Sequence, residues 1–346
     1  NWVRLVTNGD GEAFYESIVN RVLWNNDGEE VKSALSSSPR NEDWYFTEGV
    51  NYRYFSNYFC ARYMPEDTIF GKNTIGVFLD DNDDIYWTIS YLNSTLVRYI
   101  AFALSPWLRF EKGDGGRIPF PTLEDQTRNL LSNIAQSQIE LRKELAKTDE
   151  TKSEFSLGEV IRKSSSKGLY KILLHEDLAR ADLLVGEGIV DTNVWESVGA
   201  SSKSIQAAHD RFRPNFSEFP IRTEDVEDSR YSTHLDDNKT VCQNEYVDEI
   251  QEIVETKEID DIEEISEELE VSPVTVSKIR FENSIYTDEE LEDAAGQIIS
   301  YALGILLGRW KKNGGVLRTG WIIDSSAIII RKNTAVEDRE SRYIGS

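Results

Sequence analysis

The chain has 346 residues, 38 of them basic and 62 acidic, for a formal net charge of −24; 39% are apolar and 11% aromatic. Mean hydropathy is −0.47, and no apolar run approaches the roughly 20 residues that a bilayer-crossing helix needs, so a membrane-spanning helix is excluded and no membrane partner is expected. The aromatic content excludes wholesale disorder, because disordered chains lack aromatic and β-branched residues.

At roughly 100–200 residues per domain, the length accommodates two or three units. The chain opens at Asn1 without a basic-then-apolar export leader, and is read as cytoplasmic and as a piece of something longer. Cys60 and Cys242 are the only cysteines, and His175, His209 and His234 the only histidines. None has metal-site spacing, so the thiols are read as inert in a reducing compartment. The charge is uneven: residues 1–145 carry 14 basic against 21 acidic residues, and the remainder 24 against 41. Arginine outnumbers lysine, 22 to 16. An acidic, lysine-poor surface is what halophilic cytoplasmic proteins carry, and also what an acidic interaction protein carries. Charge alone leaves both open.

In chain order, residues 1–122 read as an aromatic-rich α+β domain. Short β-like runs at 21–24, 45–46, 51–55, 58–63, 68–70 and 75–79 are separated by turn signals such as Asn26-Asp27-Gly28 and Met64-Pro65. Asp83 or Asp84 then caps a helix reaching Leu104, with Ile85, Ile89, Leu92, Leu96 and Ile100 at helical spacing. Residues 123–150 read as one long spacer helix, with Leu130, Ile134, Ile139, Leu141 and Leu145 in a run free of Gly and Pro. Residues 151–245 read as linker and irregular chain, with a Ser/Lys-rich stretch at 152–167. Residues 246–310 read as an acidic helical region, and 311–346 as a tail. In the helical region, Thr287-Asp288-Glu289-Glu290 is a capping box in which Thr and Glu satisfy each other's orphan N–H groups.

No phosphate-loop, nucleophile-elbow or H-E-x-x-H motif is present, and the many carboxylates single out no acid/base pair. The phrases that stand out are local. They are 24–32 (WNNDGEEVK), 40–50 (RNEDWYFTEGV), 59–65 (FCARYMP) and 68–70 (TIF), then 91–94 (YLNS), 104–106 (LSP), 110–114 (FEKGD) and 117–121 (RIPFP). In this order they resemble the target-recognition region of large adenine-specific DNA methyltransferases, above all the PglX-type methylases of BREX phage-exclusion systems and, behind them, single-chain type II restriction–modification enzymes. The proline-bounded run followed by a long helix is also similar to the end of a recognition domain in type I specificity subunits. Residues 300–304 and 308–310 look like a phrase downstream of that domain.

The family's catalytic N-P-P-Y is missing, since no two of the eight prolines are adjacent, and no AdoMet-binding F-x-G-x-G occurs either. The resemblance therefore implies the part that reads double-stranded DNA, in an α+β fold followed by a long helix and a mostly helical C-terminal part. An N-terminal catalytic methyltransferase domain would be its partner and would use S-adenosyl-L-methionine; other phage-defence proteins are further partners. The function implied is sequence recognition for adenine-N6 methylation in phage defence. Phosphate contacts position such a lobe and polar side chains at base edges specify sequence, which makes Arg40, Asn41, Tyr52, Arg53, Arg62, Lys72, Arg109, Lys112 and Arg117 the candidate DNA contacts. Arg62, between Ala61 and Tyr63 in a strand, also reads as structural.

Residues 262–280 resemble a helix-turn-helix, with Ser272 as N-cap, Pro273 at the first helical position, and Thr275, Ser277, Lys278 and Arg280 as candidate groove-facing residues. Against this, Glu270 replaces the usual turn glycine and the first helix is acidic; a helical pair used for packing is the other reading. An alternative for the whole chain is an acidic helical protein-interaction scaffold, or a DNA mimic.

Overall fold

A computed structural model of the protein describes residues 1–34, 39–105, 109–158, 168–212, 222–232, 246–257 and 259–307. The expected tail 311–346, Cys242, His234 and most of the Ser/Lys-rich stretch lie outside these residues. The fold is α+β, with two small sheets in the front lobe, a long helix, and a helical C-terminal part.

The first sheet has β1 (Trp2–Val6) at its centre. It is flanked by antiparallel β2 (Arg21–Leu23), Trp2 opposite Leu23, and by parallel β5 (Thr68–Phe70), Leu5 opposite Ile69. The second has β3 (Gly49–Arg53) between antiparallel β4 (Ala61–Met64) and β6 (Thr74–Val77). Asn51 lies opposite both Arg62 and Gly76. β1 escapes the sequence reading because it is mostly half-buried and carries Arg4, which pairs with Asp67, at its middle. The run expected at 45–46 is a turn, with Phe46 at φ 61° and its N–H donated to the Thr68 carbonyl.

The helices of the front lobe are α1 (Glu29–Ser33), α2 (Ile85–Asn93), α3 (Thr95–Leu104), the single turn α4 (Lys112–Gly115) and α5 (Asp125–Leu145). The one helix expected to reach Leu104 is thus two. Ser94 is extended (φ −64°, ψ 152°) and its hydroxyl caps the Val97 N–H. Asn93 at the break clasps the backbone of Ala61, accepting from its N–H and donating to its carbonyl, both at 2.9 Å. A helix continued through Ser94 would forgo that tie to β4.

The region read as linker, 151–245, differs most from expectation. It contains α6 (Gly168–Ser197), the longest helix described, then α7 (Ser202–Phe212) and α8 (Thr223–Asp228). α6 shows no apolar stripe because it is packed on several sides. Val190 and Val194 enter the front core with Tyr52, Ile89 and α5 residues Leu131 and Ile134, while Ala181 joins Ile253, Ile265, Val276 and Ile279 in a second core. Ile172 and Leu173 form a third with Phe155 and Tyr301. At Gly186 any side chain would collide with the neighbours: a Cβ there would lie 2.1 Å from Gln138 Nε2 and 2.5 Å from Tyr231 Oη. Because α5 supplies the front core, no boundary between cores falls at 122/123; the helix expected as a spacer is built into the lobe.

The C-terminal part is α9 (Val247–Lys257), α10 (Ile262–Leu269), α11 (Pro273–Asn283) and α12 (Asp288–Leu306). The capping box at Thr287 forms as expected: Thr287 Oγ1 accepts from the Glu290 N–H at 3.2 Å, and Glu290 accepts from the Thr287 N–H at 2.8 Å. No helix among the described residues is long and apolar enough to cross a membrane.

Candidate nucleic-acid interface

The alternation of β3 sends neighbouring side chains to opposite faces. Tyr52 points inward, 2% exposed, and its hydroxyl donates to the Glu111 carbonyl at 3.3 Å; burial raises its pKa well above the usual phenol value. Arg53 is half-buried and donates to the Asp10 carbonyl at 2.7 Å. The chain then runs into Tyr54 and Phe55. Phe110 donates its N–H to the Tyr54 carbonyl at 2.9 Å, and Phe55 bridges Arg109.

That pairing lays the 109–117 segment against the end of β3. The guanidinium of Arg109 lies 4.9 Å from the Tyr54 ring centre and 5.8 Å from that of Phe55, donates to the Tyr54 hydroxyl, and ion-pairs with Glu111 at 3.2 Å. Its side chain remains 52% exposed. Lys112 opens α4, where Asp114 caps the Glu111 N–H at 3.1 Å, and Arg117 follows with its own N–H on the Asp114 carbonyl at 3.0 Å; both side chains are exposed. Exposed Lys72 sits in the β5–β6 turn, brought alongside by the Tyr54 N–H to Asn73 carbonyl bond and by the Arg53–Thr74 register.

One end of the second sheet therefore gathers Arg53, Lys72, Arg109, Lys112 and Arg117, with Tyr52 buried beneath. Phe55 is 52% exposed among them. Next to Phe55, Arg53, Asn8 and Asn57 line a recess of about 460 Å³. Carboxylates are interspersed: Asp10, Glu111 and Asp114. The sequence reading missed Tyr54, Phe55, Asn8 and Asn57, although an aromatic pair directly after Arg53 was a visible signal.

The other candidates are not brought to this end. Arg40 and Asn41 are exposed at the turn before Trp44, and Trp44 stacks on Phe78, which abuts Gly49 at the opposite end of β3. Arg62 is 3% exposed. Its guanidinium pairs with buried Glu16 and donates to Asn51 Oδ1 at 3.2 Å and the Thr7 carbonyl at 3.3 Å. Every nitrogen of the guanidinium is engaged inside the lobe and the side chain is enclosed, so its structural reading fits this geometry and its reading as a DNA contact does not.

The helix-turn-helix resemblance resolves as packing. In α11, Thr275, Ser277 and Arg280 are buried and only Lys278 of the four candidates is exposed. Thr275 donates to Asp228 at 3.0 Å and Ser277 to the Pro273 carbonyl at 2.7 Å, while Arg280 binds Asp177 and Glu290. A helix so enclosed cannot enter a major groove without unpacking.

Cys60 is buried against the Gly11 carbonyl and burial pushes its thiol pKa up, which makes it a poor nucleophile. Among the described residues no group of His, Cys, Asp and Glu is arranged to hold a metal ion. The chain contains neither an F-x-G-x-G nor an N-P-P-Y sequence.

No family model matches the chain. Over 163 residues, 46% of its length, it is 30% identical to the adenine-specific methyltransferase BrxX of Escherichia coli O9:H4 (strain HS), of which it spans 13%. The chain is thus a distant relative of part of an adenine-specific methyltransferase.

Proposed function

We propose that the front lobe is a DNA-contacting recognition element working with an adenine-N6 methyltransferase in phage defence, the methyl transfer from S-adenosyl-L-methionine being carried out by a catalytic domain with motifs this chain lacks. The observation that carries this reading is the cluster at the end of the second sheet, set in a chain related to an adenine-specific methyltransferase. Lys112, Arg117 and Lys72 are exposed, and Phe55 and Arg109 present a ring and a guanidinium together.

In this reading Lys112, Arg117 and Lys72 neutralise phosphates and fix the lobe on the duplex. Arg53, Asn57 and Asn8, lining the recess beside Phe55, supply donors and acceptors of the kind that read base edges. Gripping the duplex from a second side is what a base-modifying enzyme needs while it extrudes its target. Arg40 and Asn41, at the far end of β3, serve as flanking backbone contacts.

The test is fluorescence anisotropy with a duplex of about 30 base pairs at salt from roughly 50 to 200 mM. Affinity is expected to fall with salt, and Lys112→Ala and Arg117→Ala are each expected to lower the log–log slope by about 1. Binding that ignores salt, or no binding, would leave the acidic scaffold as the better account.

A further inference from the structure

A second recess, about 300 Å³ in volume, lies between α3, α5, α6 and the turn that opens α10, and shares Tyr58 with the recess beside Phe55. Three helices each contribute an arginine to it: Arg98, Arg142 and Arg180. Their electrostatic states differ. Arg142 is already neutralised, donating to Glu12 at 2.5 Å and to Glu187 at 3.0 Å.

Arg98 is not. It is only 6% exposed, and its guanidinium stands 5.2 Å from the centre of the Tyr58 ring. Its Nε is fully enclosed with no acceptor, and no side-chain hydrogen bond or ion pair reaches the rest of the group among the described residues. Asp191 is the carboxylate whose charge it feels, but that carboxyl is turned to the Thr95 N–H at 2.7 Å, and loss of water lifts it to about 6. Arg180 is exposed and likewise makes no ion pair among the described residues. A buried guanidinium without a partner is costly, so Arg98 is the cation in need of counter-charge, with Arg180 beside it at the surface. Of the other carboxylates lining the recess, Glu187 is spent on Arg142 and Asp177 on Arg280, while Glu263 stands next to Asp261.

We propose that this recess binds a small phosphomonoester, its phosphate held by Arg98 and Arg180 and its hydroxylated body facing Asp260 and Asp261. Arg98 and Arg180 together match a dianionic phosphate better than a singly charged carboxylate, and the planar fork of each can pair with two phosphate oxygens. Asp260 and Asp261, which also line the recess, are exposed. They repel a bare anion but accept hydrogen bonds from sugar hydroxyls. The volume is at the small end of small-molecule sites and holds a sugar phosphate, not a duplex. The ligand would span from α3 in the front lobe to the start of α10.

Calorimetric titration of the full chain with ribose 5-phosphate tests this, with ribose and inorganic phosphate as separate arms. Ribose 5-phosphate is expected to bind, inorganic phosphate more weakly, and ribose not at all. Arg98→Met and Arg180→Ala should each weaken binding by about tenfold or more; Arg180 is at the surface, so its variant leaves the fold intact. No heat from ribose 5-phosphate up to about 10 mM, or unchanged affinity in either variant, would overturn the site. Equal affinity for inorganic phosphate would overturn the assignment of the body.

Discussion

Replacing Arg280 by methionine is expected to cost the fold about 3–5 kcal/mol, the usual penalty for removing one partner of a buried charge network. The Arg280 side chain is fully enclosed. It donates to Asp177 at 3.1 Å and to the Ile285 carbonyl at 3.2 Å, binds Glu290, and lies 4.7 Å from the Tyr286 ring centre. Methionine fills similar space but leaves two carboxylates without a cation. The loss should also depend on pH. Burial outweighs the pull of Arg280 and pushes the Asp177 carboxyl up to about 7. Between its unfolded value of about 3.9 and that point, the folded state holds a proton that the unfolded state has lost, so stability falls as pH rises through this window. Without Arg280 the carboxyl rises further and the fall continues above pH 7, adding about 1–2 kcal/mol to the loss at pH 8 relative to pH 6. Urea unfolding followed by tryptophan fluorescence at both pH values measures this. A loss under about 0.5 kcal/mol, typical of a surface site, or an identical loss at pH 6 and 8, would refute the account of α11 as a buried strut.

Two further outcomes are expected. Asp191, lifted to about 6 by loss of water, should make stability fall as pH rises from about 4 to 6, by up to about 3 kcal/mol for a shift near two units. Asp191→Asn keeps an acceptor for Thr95 and should flatten that stretch of the stability profile; an unchanged profile contradicts the assignment. Glu270 holds a left-handed conformation (φ 54°) at the end of α10, so Glu270→Gly should stabilise by about 1 kcal/mol, read as a raised urea midpoint at unchanged slope; a lowered midpoint would mean that the Glu270 side chain contributes more than the strain costs.

Legibility varied with how local each signal was. The capping box at Thr287 was readable because both groups lie within one turn, and the long helix from Asp125 because its apolar residues recur on one face. The break at Ser94 was not, since the partner that rewards it, the Ala61 backbone, lies 32 residues away in sequence. Among the site candidates, Lys112 and Arg117 stood out only as basic residues within the family-like phrases and the structure shows them exposed, whereas Arg62 and Arg280 look just as basic in the sequence and are consumed by Glu16, Asp177 and Glu290.

By itself the amino-acid order determined the α+β class, the short strands of the front lobe apart from β1, the amphipathic helices, the missing catalytic motifs and the likeness to a methyltransferase family. Only the tertiary structure decided that residues 168–197 form a helix that enters the front core and both cores of the C-terminal part, that α11 is packed rather than presented, and that Arg53, Lys72, Arg109, Lys112 and Arg117 share one end of a sheet. The physical reason is the same in each case. Periodicity records which face of a segment avoids water, so a helix covered on several sides shows no stripe, and a cation's role is set by carboxylates brought to it from distant parts of the chain.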